Sequence, residues 1–200
     1  MISLLEQYGH PAGTLSPTSQ TTVQIMENAH QEWERQYKPK SECDYLLKQI
    51  EQIMNEGELA AIENLTEIEG TSKAIIKLKE KGLKLAILTR SHHAYAVQAL
   101  KKIDLEDQFD LILGRDETPE PKPYKGAIDH TVKLLKLHID EVAMVGDHQI
   151  DRDSAINSGC IFIGVATGRG LKSWKDEKAP EHYLASVAEL PEYLESLGWV

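Results

Sequence analysis

The sequence predicts an α/β protein: a parallel β-sheet with helices on both faces, accompanied by a small helical segment near the start. Three observations carry that expectation. From Gly70 onward, short apolar runs alternate strictly with stretches of helical periodicity, the signature of strands joined by crossover helices. In the first third of the chain the apolar residues recur at helical spacing instead. The 200 residues are 41% hydrophobic and 27% charged, which suits one ordinary globular domain or a core carrying one small insert.

Taken in order, Thr18 to Tyr37 carries Val23, Ile25, Met26, Ala29 and Trp33 on one helical face, and Pro39 ends it. Ser41 can cap the next helix, in which Tyr45, Leu46, Leu47, Ile50, Ile53 and Met54 recur until Gly57. Two such helices make either a small cap or half of a bundle. After Gly70 come a helix from Ala74 to Lys81 closed by Gly82, a strand from Leu83 to Leu88, and a helix from Ala94 to Ile103. A strand from Phe109 to Leu113, a helix from Tyr124 to Leu137 and a strand from Val142 to Val145 follow. A helix over Ser154 to Ser158, a strand over Ile161 to Val165, a short strand at Tyr183-Leu184 and a last helix from Val187 to Leu197 complete the order.

Charge and composition exclude several classes. Acidic residues outnumber basic ones 32 to 22, a formal net charge of −10. That balance argues against sequence-independent nucleic-acid binding, which needs Lys and Arg on phosphates, and against an anionic membrane surface. No apolar run is long enough to span a bilayer, and the opening Met1-Ile2-Ser3-Leu4-Leu5-Glu6 is too short and acidic for a secretory signal. Cys43 and Cys160 lie far apart and outside any C-x-x-C, so neither a disulfide framework nor a zinc site is indicated. A soluble cytoplasmic protein is expected.

In an open parallel sheet the chemistry sits in loops at the carboxyl ends of the strands. Thr89-Arg90-Ser91 follows the first strand; a hydroxyl and backbone amides opening a helix can cradle a phosphate, or can simply be an N-cap. Lys122 lies between Pro121 and Pro123 after the second strand, where restricted backbone holds the ammonium in one direction. A solvated loop lysine is the plain alternative. Asp147 and Asp151 follow the third strand in Val145-Gly146-Asp147-His148-Gln149-Ile150-Asp151. Carboxylates suit magnesium, which keeps several waters and uses one or two protein ligands; a cap would need only one acid. His92-His93 at a helix start read as solvated, Tyr8, Trp33, Trp174 and Trp199 as packing or surface aromatics, and Gly168-Arg169-Gly170 as a flexible turn.

The order of these signals, each after its own strand, resembles the haloacid-dehalogenase (HAD) superfamily, and most of all its phosphoglycolate-phosphatase-like branch. The resemblance runs from about Gly70 to Gly168 through L-A-I-L-T-R-S, P-E-P-K-P and M-V-G-D-x-x-x-D. It implies a HAD-like Rossmannoid parallel sheet formed by residues 1–15 and 66–200, with a small helical cap at 16–65. It implies Mg²⁺-dependent hydrolysis of a small phosphorylated metabolite. Thr89, Arg90 and Ser91 would bind the phosphate, Lys122 would balance charge on the transferring group, and Asp147 would hold Mg²⁺ with Asp151 in support. Phosphoryl transfer is mostly positioning and electrostatics, so such a set makes physical sense.

The family's first motif, D-x-D-G-T-L after a central strand, supplies a nucleophile and a general acid/base. The one candidate stretch here is His10-Pro11-Ala12-Gly13-Thr14-Leu15, which keeps G-T-L but has His10 at the nucleophile position and Ala12 at the acid/base position. Leu5-Glu6-Gln7-Tyr8-Gly9 before it makes a poor buried strand. Two readings stay open: a degenerate motif here, or a true motif upstream of this chain. Either way the carboxylate is absent, so covalent catalysis fails and the Mg²⁺ site loses an anionic ligand. An imidazole at His10 is longer than a carboxylate and would misplace in-line attack, where an error near one ångström costs about a hundredfold. The expectation is a weakly active or inactive member of a phosphatase family, or a non-catalytic module that binds a phosphate ligand or a protein. A receiver-type signalling domain is a third class, which explains the cap less well.

Overall fold

A computed structural model describes residues 1–15, 22–167 and 180–200. The start of the first amphipathic helix at Thr18, the turn Gly168-Arg169-Gly170 and Trp174 lie outside the described residues. The chain divides into two compact units, Met1–Ala60 and Ala61–Val200.

The first unit is helical. Helix α1 (Ile2–Gln7) is followed by α2 (Thr22–Arg35) and α3 (Lys40–Ala61). Trp33, Ile25 and Ala29 of α2 meet Leu46 and Ile50 of α3 in one core, which Leu5 and Leu15 also join. Each fully buried aliphatic side chain of this kind stabilises by about 1.5–3 kcal/mol. Helix α2 stops because Tyr37 turns left-handed (φ 52°) and Lys38 N donates back to Trp33 O at 3.0 Å. Pro39 then opens α3 by accepting from Glu42 N. The segment expected to lead into the first motif is α1 and not a strand. Leu5 faces the core, His10 N closes the helix on Leu5 O at 3.0 Å, and Glu6 Oε1 accepts from Gly13 N at 3.0 Å. Glu6 and Gln7, which would interrupt a buried strand, sit comfortably on a short helix. Residues 1–15, assigned above to the sheet domain, group with the helical unit.

The second unit is α/β with parallel pairing throughout. Its elements are α4 (Thr71–Glu80), β1 (Ala86–Leu88), α5 (His93–Lys102), β2 (Leu111–Leu113), α6 (Gly126–Leu135), β3 (Ala143–Gly146), α7 (Gln149–Ser158), β4 (Ile161–Val165), β5 (His182–Leu184) and α8 (Leu190–Ser196). Strand pairing gives two sheets, β1-β2 and β3-β4-β5, where the sequence predicted one. Alternation along each strand feeds two faces. Phe162 and Met144 pack with Ile128, Val132 and Ala155 beneath α6 and α7, while Ile163, Val165 and Val145 pack with Leu78, Leu190 and Leu194 beneath α4 and α8. That is the period-two division of a sheet covered on both sides.

Element ends differ from the sequence reading for local reasons. Helix α7 starts at Gln149, five residues before Ser154, because His148 caps it: its Nδ1 accepts from Ile150 N at 3.1 Å and its own N–H donates to Asp151 Oδ2 at 3.2 Å. Helix α6 ends at Leu135, where Lys136 turns left-handed (φ 55°) and Leu137 N returns to Val132 O.

Candidate functional site

Three loops leave the carboxyl ends of β1, β2 and β3 within the second unit, and each carries the residues singled out above. After β1, Thr89 N still donates to Leu113 O at 3.0 Å, so the ladder runs one residue beyond the strand and fixes the Thr89 backbone. Its Oγ1 then accepts from Ser91 N at 3.1 Å, a local turn that opens toward α5. Arg90 is half-buried; burial pushes its guanidinium pKa down, and the Asp151 charge opposes that. Arg115 from the second loop donates to Arg90 O at 3.2 Å, and its backbone N donates to Ser91 O at 2.9 Å. The first two loops are thereby tied together.

The loop after β2 is shaped by its prolines and by Glu120, whose Oε2 accepts from Gly126 N at 3.2 Å and caps α6. Lys122 emerges from it into the interior, 8% exposed. Its Nζ donates to Leu88 O at 2.8 Å and to Asp151 Oδ1 at 2.6 Å. Asp151 is also 8% exposed, and its second oxygen accepts from His148 N. A charged pair this deep is kept only when geometry and further hydrogen bonds offset desolvation, and here both members have those bonds. Gly146 makes the approach possible: a Cβ there would stand 2.5 Å from Asp151 Cβ.

Of the predicted set, the structure therefore brings Lys122 and Asp151 into contact and places Thr89 one residue beyond the carbonyl that Lys122 holds. Asp147 is half-buried at the end of β3, and its carboxylate meets no hydrogen-bond partner among the described residues. Asp151, by contrast, has both oxygens engaged. Among the described residues no group of three or more His, Cys, Asp or Glu is placed to hold a metal ion. The donors present suit a cation with one protein carboxylate, Asp147, that keeps most of its waters. His10 and Ala12 belong to the Met1–Ala60 unit. His10 is 6% exposed with Nδ1 unpartnered, and Ala12 is exposed on a turn.

The two histidines read as solvated keep partial exposure, and each stands beside an acid. His92 Nε2 stands 3.3 Å from Asp116 Oδ2 and His93 Nδ1 stands 2.6 Å from Glu117 Oε2, while Asp116 Oδ1 accepts from His93 N. Nothing in the local sequence signals these pairs, because Asp116 and Glu117 meet the histidines only through the parallel alignment of β1 with β2. Gly114 permits the contact: a Cβ there would lie 2.2 Å from His93 N.

Comparison with known proteins agrees with this arrangement. A model of haloacid dehalogenase-like hydrolases matches residues 2–165. A phosphoglycolate phosphatase of Neisseria meningitidis is 34% identical over 128 residues, which is 62% of this chain and 54% of that protein. A pyrophosphatase of Halalkalibacterium halodurans is 28% identical over 122 residues, 61% of this chain and 57% of that one. The chain thus spans about half the length of the curated relatives it matches. Among solved structures, a HAD-superfamily hydrolase of subfamily IA from Geobacter sulfurreducens aligns over 96% of this chain and 87% of its own, at a TM-score of 0.57 and 18% identity, a likeness of fold. With parallel strands, three motif loops in order and a family match over more than half its length, the chain belongs to the haloacid dehalogenase-like hydrolase family.

Proposed function

We propose that the second unit binds the phosphate of a small phosphorylated metabolite over Thr89, Arg90, Ser91 and Lys122, and that this chain turns such substrates over weakly or not at all. The observation that carries the reading is Lys122. Its ammonium is held in the interior by Leu88 O and Asp151, which leaves one of its three N–H donors for a ligand beside Thr89. A buried, fixed cation next to a hydroxyl and a half-buried arginine is chemistry suited to an oxyanion. The relatives named phosphatases and pyrophosphatase support a phosphate ligand. The absence of an aspartate at His10 and Ala12 supports low turnover, since removing a nucleophile costs several orders of magnitude in rate.

Asp147 would hold Mg²⁺ weakly, with water making up its coordination; when bound, the ion would neutralise charge on the phosphate. The test has two parts. Hydrolysis of an aryl phosphate with and without Mg²⁺, beside an Asp147→Ala control, is expected to show no Mg²⁺-dependent rate above the control. Calorimetric titration with inorganic phosphate is expected to show binding that Thr89→Val weakens at least fivefold. Mg²⁺-dependent turnover abolished in the control overturns the low-activity reading, and absence of phosphate binding overturns the ligand.

A further inference from the structure

The loops after β1 and β2 meet at two histidines that phosphate binding does not use, and the two rings are held differently. His92 has both nitrogens occupied: Nδ1 accepts from Ala94 N at 3.1 Å, capping α5, and Nε2 stands 3.3 Å from Asp116 Oδ2. The His93 ring is engaged at one nitrogen. Its Nδ1 is buried, 2.6 Å from Glu117 Oε2, and meets no other polar partner among the described residues. Its Nε2 is not buried and meets none either, and 40% of the side chain is exposed.

The ring is fixed from outside its own helix. Asp116 Oδ1 accepts from His93 N at 2.9 Å, and Glu117 Oε2 also accepts from Gly114 N at 3.0 Å. Gly114 lets the two loops close, since a Cβ there would lie 2.2 Å from His93 N. Glu117 is therefore itself held while it faces the ring. In the neutral ring the proton sits on Nδ1 beside the carboxylate, and the Nε2 lone pair points outward. That is the arrangement of a nucleophile oriented by a charged partner. His93 is also the first residue of α5, where the aligned peptide dipoles favour an anionic group.

We infer that His93 is a phosphoryl acceptor, its Nε2 taking the group from an activated donor of the phosphoramidate or acyl phosphate class. With zwitterionic phosphoramidate, the Nε2 lone pair forms the new N–P bond. The donor's own N–P bond breaks, and ammonia leaves with that electron pair. The ring keeps its Nδ1 proton and gains a positive charge, which the Glu117 carboxylate at 2.6 Å offsets. The step needs neither Mg²⁺ nor a carboxylate nucleophile. His92, with both nitrogens engaged, does not react.

The full chain is incubated with phosphoramidate and a metal chelator, and the phosphorylated residue is mapped by mass spectrometry. A single phosphoryl group on His93 is expected, stable to alkali and lost in acid, as an N–P bond requires. The other histidines of the same chain are the controls, so the result does not depend on a folded variant. His93 is expected to label about tenfold faster than any of them, and urea is expected to abolish the preference. Glu117→Gln keeps an acceptor for Nδ1 but not the charge. It is expected to slow labelling about tenfold, the order of one unit charge in contact near solvent. Nitrogen NMR is expected to show the His93 proton on Nδ1 in both proteins. Label on His92, label shared evenly among the histidines of the folded chain, alkali-labile label on a carboxylate, or no label overturns the acceptor. Unchanged labelling in Glu117→Gln, or a proton on Nε2, overturns the part given to Glu117. Read at His93 and without metal, the outcome stands apart from phosphate binding beside Lys122.

Discussion

At the scale of single residues, the site turns on one ion pair. Lys122 and Asp151 are each 8% exposed and 2.6 Å apart, so neither can lose its partner without leaving a charge in the interior. Asp151→Leu removes the counter-charge of Lys122, and Lys122→Met removes that of Asp151; each is expected to cost about 3–5 kcal/mol of stability. The double change Lys122→Met with Asp151→Leu replaces a pair by apolar volume and is expected to cost clearly less than the sum of the singles. Urea denaturation of the four proteins checks this. Additive costs would show that the two groups are not coupled. The identity of both residues was legible in the sequence, because P-K-P and G-D-x-x-x-D each follow a strand. Their direct contact was not, since it depends on Gly146 admitting Asp151 within van der Waals range of the β3 backbone.

At the scale of elements, tertiary ties set where strands and helices stop. Asp110, just before β2, accepts from Lys79 Nζ at the end of α4 at 2.6 Å and from Leu85 N just before β1 at 2.8 Å. The Lys79 hydrogen bond, then that from Leu85, holds the Asp110 carboxyl below the usual carboxylate range. A carboxylate with a depressed folded pKa adds stability above its unfolded pKa, and that stability is lost as pH falls through the folded value. Asp110→Asn is therefore expected to cost at neutral pH, by no more than about 1 kcal/mol because the pair is partly solvated. The cost should shrink as the solution is acidified below the ordinary carboxylate range. Urea midpoints of both proteins over that span check the sign, and a cost that grows toward acid would contradict it. Most elements were legible from periodicity. The sequence extends β1 too far back, because Leu83 and Leu85 are apolar in alternation with Lys84 while the β1-β2 register spans only Ala86 to Leu88. The start of α7 was read too late, because its cap is the imidazole of His148 and not a hydroxyl or carboxylate. The split into two sheets was invisible, since strand patterns say which residues extend and not which edges remain without a neighbour.

At the scale of the whole molecule, the chain carries separate apolar cores in its two units. One cluster gathers Leu5, Leu15, Ile25, Ala29, Trp33, Leu46 and Ile50, all within Met1–Ala60, while the two others draw only on residues from Leu78 onward. The sequence reading divided the chain differently, joining residues 1–15 to the sheet, because G-T-L at Gly13 to Leu15 matched a motif that belongs after a strand. Leu15 instead sits 6% exposed in the helical cluster, so its burial reports helix packing. Stability should follow the cores and not the motif. Leu46, fully buried at the centre of the first cluster, leaves a cavity when cut to alanine, at about 2–5 kcal/mol. Its loss should raise exchange among amides of α2 and α3, while those of β3 and β4, packed under Leu78, Leu190 and Ile128, keep their protection. Ile163→Ala, in β4, is expected to do the reverse. Exchange read by mass spectrometry on both variants decides it: loss of protection in both units from either single change would mean that the chain unfolds as one cooperative body, and that its two cores share a single stability.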